Sequence, residues 1–295
     1  MVQHLLDNDF ERLMLSGCDR RLLVDENGLN RYGSSPIPNG TIQFGSCTCS
    51  TPSTRAIKVA KAVFTRLKRA PDPHALAIEL IRIVREHIRG SFNLPKNVDI
   101  ALTPSGTDVE LLALALAAGR GRQPIVNLIV GPTEVGSGTD YAAAARHFDS
   151  LTPRDTTVVI GQPISTLASR VSRETIDIRD SFGKLLPGFE IDAATIQAAT
   201  QAAASGAHVI VHLVAHSKTG IHAPSLQAIQ SIKSQLQDNV TIVVDAAQGR
   251  LAPAAYHFAL QRGYLVSLTG SKFFGGPPFC GALLVPKTGI LNKTE

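Results

Sequence analysis

From Val98 onward, short apolar, largely β-branched runs alternate with stretches of helical periodicity, and few folds accommodate that rhythm. The runs are Asp99–Leu102, Ile125–Val130, Thr157–Ile160, His208–Val214, Thr241–Val244, Tyr264–Leu268 and Gly281–Val285. Between several of them lie helix candidates, Asp108–Ala118, Tyr141–His147, Ala193–Ala204 and Leu226–Leu236. A strand that is apolar at odd and even positions alike must be covered on both faces, and crossover helices supply the cover. The alternation predicts an α/β fold, a three-layer sandwich around a mostly parallel, seven-stranded sheet. The turn joining the last two runs holds Gly275-Gly276-Pro277-Pro278 and is too short for a parallel crossover, so one antiparallel strand is expected there.

The chain before Val98 reads differently. Residues 1–54 are rich in Gly, Ser, Pro, Asn and Thr, and Asn30–Ser53 reads as a long loop. Helical spacing begins at Arg55–Arg69 and resumes at His74–Arg89 after the break Ala70-Pro71-Asp72-Pro73. The expected organisation is an irregular N-terminal segment over 1–54 and one large domain over 55–295. With 44% hydrophobic residues, 5% aromatic and no Trp, the core is to be built from Ala, Val, Ile and Leu.

The formal net charge of +5 is spread along the chain apart from the cluster Arg66, Lys68, Arg69. That pattern suits a solvated helix face, and no nucleic-acid partner is expected. Cys18, Cys47, Cys49 and Cys280 include a C-x-C pair but no second pair at zinc spacing, so reduced thiols are expected rather than a metal site or disulfide framework. Asp7, Asp9, Glu11 and Arg12 interrupt the first 15 residues, which removes a signal-peptide core. No apolar run reaches the roughly 18–20 residues that span a bilayer. These features predict a cytoplasmic protein with no membrane partner.

Several segments hold residue types that carry chemistry. Thr103-Pro104-Ser105-Gly106-Thr107-Asp108 follows a strand and opens a helix. Small residues there let backbone N–H groups and a Thr hydroxyl approach a phosphate, and the helix dipole favours the anion. The same residues would equally serve as an ordinary helix cap. The loop from Gly131 to Gly138 also joins a strand to a helix, but it lacks the Gly-Lys-Ser/Thr of a Walker loop and the glycine order of a dinucleotide fingerprint. It reads as a structural or active-site loop. His208, His212 and His216 could share one strand face, yet no carboxylate partners stand nearby in sequence, so packing or loop roles are expected over a metal.

Asp245 ends an apolar run, a poor place for a carboxylate without a charged or N–H partner. Lys272 sits between the small-residue turn Thr269-Gly270-Ser271 and the Gly275–Pro278 loop, which holds it rigidly. A lysine nucleophile and a carboxylate able to keep a pyridine nitrogen protonated are the pair that a pyridoxal 5'-phosphate (PLP) site needs.

Taken in order over about residues 98–286, these segments resemble the fold-type I PLP enzymes of the aspartate-aminotransferase superfamily, nearest the class V aminotransferase and cysteine desulfurase group. Asp245-Ala246-Ala247-Gln248 is similar to that group's cofactor-facing strand end, and Lys272 follows Asp245 by 27 residues, the family's spacing to within a residue or so. Thr269–Lys272 resembles its Schiff-base segment, Ser105-Gly106-Thr107 its phosphate cup, and His216–Gly220 the turn that normally carries an Asn. The resemblance implies that Lys272 is the catalytic Schiff-base lysine and that Asp245 pairs with the pyridine nitrogen. It places Gln248 and Ser217 at the ring oxygen, and Ser105, Gly106, Thr107 and Thr269 around the phosphate. It further implies an aminotransferase or lyase acting on a small-molecule amino-acid or amine substrate. Such enzymes generally form homodimers with active sites at the subunit interface, to which the loop Tyr32–Ser53 would contribute.

Departures from the family pattern carry expectations too. Ser271 stands where a His usually precedes the lysine, and Gly131–Tyr141 offers no histidine to stack on the ring, so no stacking residue is assigned. Only 23 residues follow Lys272, so the family's C-terminal small domain, with its usual arginine for a substrate carboxylate, is expected to be absent. Cys280 lies too close to the lysine turn to be a desulfurase's mobile-loop cysteine, which disfavours that chemistry. A truncated relative that binds partners without catalysis is the other reading of the same features.

Overall fold

A computed structural model of the chain describes residues 9–15, 20–45, 47–154 and 156–287. Cys18 and residues 1–8 of the stretch read above for a signal peptide lie outside the described residues.

Helix α1 (Phe10–Leu15) and a single 3-10 turn (Arg20–Leu22) precede a long irregular segment up to Ser53. Side chains rather than ladders hold that segment. Asn30 is buried and donates from Nδ2 to the Cys49 carbonyl at 2.7 Å, while its Oδ1 accepts from the amides of Tyr32 and Ser34 at 3.0 and 3.2 Å. A short amide side chain that satisfies both ends locally is the usual device for fixing a loop. Helices α2 (Thr54–Arg69) and α3 (Pro73–Ser91) follow, capped by Ser53 and Asp72, with Pro73 at the first helical position, where its missing N–H costs nothing.

The remainder is built around one sheet: β1 (Val98–Thr103), β2 (Ile125–Val130), β3 (Val171–Ile176), β4 (His208–Ala215), β5 (His222–Ala223), β6 (Val240–Asp245), β7 (Leu265–Thr269) and β8 (Gly281–Pro286). The strands lie in the order β1-β8-β7-β6-β4-β2-β3, with the two-residue β5 paired to β4. Pairings among β7, β6, β4, β2 and β3 are parallel, whereas β8 runs antiparallel to both of its neighbours, β1 and β7. The sequence expectation of one reversed strand at the end of the chain is met.

Helices cover both faces. α6 (Gly188–Ala204), α7 (Leu226–Leu236) and α8 (Pro253–Gln261) bury Ala199, Ile229, Tyr256 and Leu260 against one side. α4 (Gly106–Ala118) buries Val109, Ala113, Leu114 and Ala117 against the other, and the short α5 (Thr139–Ala143) packs on α4. Every residue of β2 and β4 is buried, as a parallel strand between two helical layers requires.

One strand is misplaced by the sequence reading. Thr157–Ile160 forms no strand: Thr157 makes an isolated bridge to Leu151, and Val159 is 61% exposed. The seventh position in the sheet is taken by β3, whose Ser172-Arg173-Glu174-Thr175 centre is exposed. An edge strand paired on one side only need not be apolar, and charged residues there discourage pairing with another chain. The helix expected over Tyr141–His147 is also shorter, ending at Ala143, and Ala145 adopts a positive φ of 55°.

The carboxyl ends of β1, β2, β4, β6 and β7 all feed loops at one edge of the sheet, and β8 starts there. In open parallel sheets that edge is where ligands bind.

Candidate active site

At this edge lies a cavity of about 820 Å³. Of the residues singled out from sequence, Ser105, Gly106, Thr107, Asp245, Gln248, Thr269 and Lys272 line it. They arrive from the β1–α4 turn, the end of β6, the end of β7 and the loop beyond it. These segments lie up to 167 positions apart in sequence and are brought together by strand order alone.

Lys272 sits deep in the cavity. Burial pulls its ammonium pKa down from the usual lysine value, and the nearby Asp245 carboxylate opposes that fall. The loop around it is tight: the Gly276 amide donates to the Gly270 carbonyl at 2.7 Å, and the Gly275 amide to the Lys272 carbonyl at 2.9 Å. A Cβ on Gly276 would come within 2.7 Å of the Gly270 carbonyl oxygen, so this turn admits no side chain there. Thr269 Oγ1 lies 2.8 Å from Ser271 Oγ, which in turn lies 3.1 Å from Thr48 Oγ1. This hydroxyl chain ties the lysine loop to the N-terminal segment.

Asp245 accepts from the Ala247 amide at 3.0 Å. Gln248, 4% exposed, is one of the lining residues, and its Oε1 is buried without a hydrogen-bond partner among the described residues. Ser105 caps α4, accepting from the Asp108 amide at 3.1 Å and donating to Asp108 Oδ2 at 2.6 Å. The Ser105 hydroxyl is thereby committed, and what the helix start offers a ligand is the amides of its first turn and the Thr107 side chain.

Ser217 is not among the cavity-lining residues. It is buried in the loop after β4 and donates to Glu134 Oε2 at 2.6 Å. Glu134 also accepts from the Thr219 amide at 3.1 Å, from Thr219 Oγ1 at 2.9 Å, and from Arg179 Nη2 at 3.0 Å. Burial alone would raise the Glu134 pKa, but these bonds, with Ser217 first among them, outweigh it and bring the carboxyl down to about 2. The geometry gives Ser217 a structural role in pinning two loops together. Its own loop supplies the cavity with Lys218 instead. His208 and His212 likewise find protein partners, Thr241 Oγ1 at 2.9 Å and Asn127 Oδ1 at 2.8 Å.

The sequence reading expected the loop Tyr32–Ser53 at an active site between subunits, but it did not foresee a cavity wall built by the N-terminal segment of the same chain. Arg20, Arg21, Arg31, Cys47 and Thr48 of this same chain line it. No local pattern marks such residues, because their placement depends on how an irregular segment folds back. Cys47 is unusual in its chemistry: a hydrogen bond from the Cys49 side chain, opposed by burial and helped by Ser50 and Arg21, brings its thiol down to about 5. Cys280 is the opposite case, pushed up to about 12 by burial, with Sγ donating to the Pro277 carbonyl at 2.8 Å. Glu110 was also missed, and its signal was an acid at a core-facing position in the run Val109–Ala118, which is otherwise apolar.

No protein-family model matches the chain, and no curated protein does. Solved structures do match, and they are fold-type I PLP enzymes, decarboxylases and aminotransferases among them. Mouse CSAD aligns with a TM-score of 0.56 and 17% identity, over 85% of this chain and 51% of that one. The glutamate decarboxylase domain of a diaminobutyrate-pyruvate transaminase and L-2,4-diaminobutyrate decarboxylase from Vibrio parahaemolyticus aligns with a TM-score of 0.52 and 16% identity, over 84% and 53%. Oryza sativa TDC, in a structure with PLP, gives 0.54 and 14% over 83% and 52%. This chain therefore has the PLP-transferase fold and spans about half the length of these structures.

Proposed function

We propose that this chain binds PLP through Lys272 and acts on an amino acid or related amine, as an enzyme of the aminotransferase or lyase type. The observation that carries the reading is the pairing of a half-buried lysine, its pKa lowered by desolvation, with a carboxylate in one cavity at the carboxyl edge of the sheet. Gln248 also lines the cavity, and its buried Oε1 has no hydrogen-bond partner among the described residues, a polar group that a ligand's polar substituent could engage after a small side-chain adjustment. A phosphate fits the start of α4, and the surrounding cations Arg20, Arg21, Arg31 and Lys218 favour an anionic ligand.

PLP, when bound, supplies an electron sink for breaking a bond at the amine-bearing carbon. The chain's own residues do the rest. Lys272 Nζ would be the attachment point and the base that moves a proton, and desolvation, by lowering its pKa, favours the neutral, nucleophilic amine. Asp245 holds a proton on the pyridine nitrogen. The Gly106 and Thr107 amides, with the Thr107 and Thr269 hydroxyls, bind the phosphate, and Gln248 addresses the ring oxygen. Kinship with the class V group is part of this proposal and rests on the Asp245–Gln248 and Thr269–Lys272 segments. A homodimer is expected, and a single monomer peak in size-exclusion chromatography would count against it.

The test is an absorbance spectrum of the protein incubated with PLP, set beside Lys272→Ala. A visible band that borohydride abolishes and the variant lacks supports the assignment. A protein that develops no such band does not use PLP in this way.

A further inference from the structure

Close to Asp245 lies a second carboxyl that the proposed function leaves without a role. Glu110 belongs to the second turn of α4, between the core residues Val109 and Ala113, and is 4% exposed. It lines the same cavity as Asp245. Its Oε2 lies 3.3 Å from Nδ1 of His212, which is itself 2% exposed on β4. The approach is within ion-pair reach but off the line of a hydrogen bond, so Oε2 stays buried without a hydrogen-bond partner among the described residues. A bare carboxylate in that setting is costly.

The neighbouring bonds fix where the proton sits. Asn127 donates from Nδ2 to the Ala143 carbonyl at 3.1 Å, which turns its Oδ1 toward His212 Nε2 at 2.8 Å. An amide oxygen only accepts, so Nε2 carries the hydrogen and Nδ1, the nitrogen beside Glu110, is the unprotonated one in a neutral ring. Burial holds His212 down to about 4, so the ring is neutral at ordinary pH. Burial, reinforced by the charge on Asp245, pushes the Glu110 carboxyl well above the usual range. His212 from β4 and Asp245 from β6 bear on Glu110 directly, and Lys272, Lys218, Cys47, Asp149 and the arginines Arg20, Arg21 and Arg31 line the same cavity.

We propose that Glu110 and His212 are positioning residues for Asp245: a neutral carboxylic acid–imidazole pair that leaves Asp245 as the charged one of the two carboxyls and so sets how firmly it holds a cationic ring. The identity of that ring rests on the PLP reading, whereas the charge arrangement belongs to the chain alone. Burial first, and the charge on Asp245 second, keep the proton on Glu110, which ionises only on the alkaline side.

Infrared difference spectroscopy of the cofactor-free protein reads the proton directly. At neutral pH the parent should show the carbonyl stretch of a protonated carboxylic acid that Glu110→Gln lacks and that shifts in heavy water. Isotope-labelled glutamate reads the same stretch in the unaltered protein, so the result does not depend on the variant folding. Absence of that stretch overturns the proposal. Dissociation constants for PLP, measured against pH for the parent and Glu110→Gln, read the second half. They should agree within about twofold at neutral pH and part only as the pH rises, because Gln mimics the protonated acid. A gap of about tenfold already present at neutral pH would mean that Glu110 is charged there, and would equally overturn it. If PLP fails to bind while the acid stretch is present, the cofactor reading falls and the charge arrangement stands.

Discussion

Asp245 closes β6 level with Ser267 of β7, and Lys272 follows three residues after β7 ends, so the carboxylate and the amine line one cavity and Asp245 bears on the charge of Lys272. Burial favours loss of the Lys272 proton, and Asp245 resists it. Asp245→Asn should therefore lower the Lys272 pKa further and move formation of the borohydride-trappable PLP adduct to lower pH. Turnover on any amino acid that the parent accepts should fall by about 10²-fold or more, since the ring nitrogen loses its partner. Stopped-flow absorbance across pH measures the first effect and steady-state kinetics the second. An unchanged pH profile would remove Asp245 from this role.

Cys47 is expected to be a thiolate at neutral pH. Its pKa is brought to about 5 from an ordinary thiol value of 9.0, so iodoacetamide should alkylate it at a rate that stays nearly constant down to about pH 5 and falls below. Cys280, at about 12, should react only after unfolding. Peptide mapping by mass spectrometry separates the two. PLP should protect Cys47, because Cys47 lines the cavity. A Cys47 that alkylates only above about pH 8 would contradict the hydrogen bond from Cys49.

The two residues at the start of α4 should separate stability from affinity. Ser105 caps the helix through the Asp108 amide, so Ser105→Ala should cost about 1 kcal/mol in denaturant unfolding and change PLP affinity little. Thr107 lines the cavity, and Thr107→Val should weaken PLP binding by about tenfold, the worth of one hydrogen bond to a charged group, with little loss of stability. Reversed outcomes would mean that the Ser105 hydroxyl, not the helix start, is what meets the phosphate.

What the sequence disclosed and what it hid follow one physical division. β2, β4 and β6 were legible because strands buried on both faces are apolar throughout, and Asp245 and Lys272 were legible because each is anomalous where it stands. β3 was hidden because an edge strand can be Ser-Arg-Glu-Thr at its centre, while the apolar Val158-Val159-Ile160 lies in a loop. Cys47, Thr48 and the arginines were hidden because a loop's destination is set by tertiary contacts such as Asn30 to Cys49 and Thr48 to Ser271. The partner that Ser217 has in the structure was hidden as well. Nothing local in the sequence says that Glu134, 83 residues earlier, will claim its hydroxyl.

That partnership makes the last prediction. Glu134 is held at about 2 in the folded chain, below its ordinary 4.5, so the unfolded state binds the proton more tightly. Its contribution to stability is fully present above about pH 4.5 and is lost as the pH falls toward 2. Glu134→Gln should cost about 2–3 kcal/mol at neutral pH, because bonds from Ser217, Thr219 and Arg179 lose their charged acceptor. It should also flatten the acid side of the stability profile, since the group that titrates there is gone. Ser217→Ala should cost about 1.5 kcal/mol for one bond to a charged group and leave the PLP dissociation constant within about twofold, because its hydroxyl points at Glu134. Chemical denaturation from pH 2 to 7 checks the first pair of outcomes, and PLP titration of Ser217→Ala the last. A tenfold loss of PLP affinity in Ser217→Ala would return Ser217 to the ring contact that the family resemblance implies.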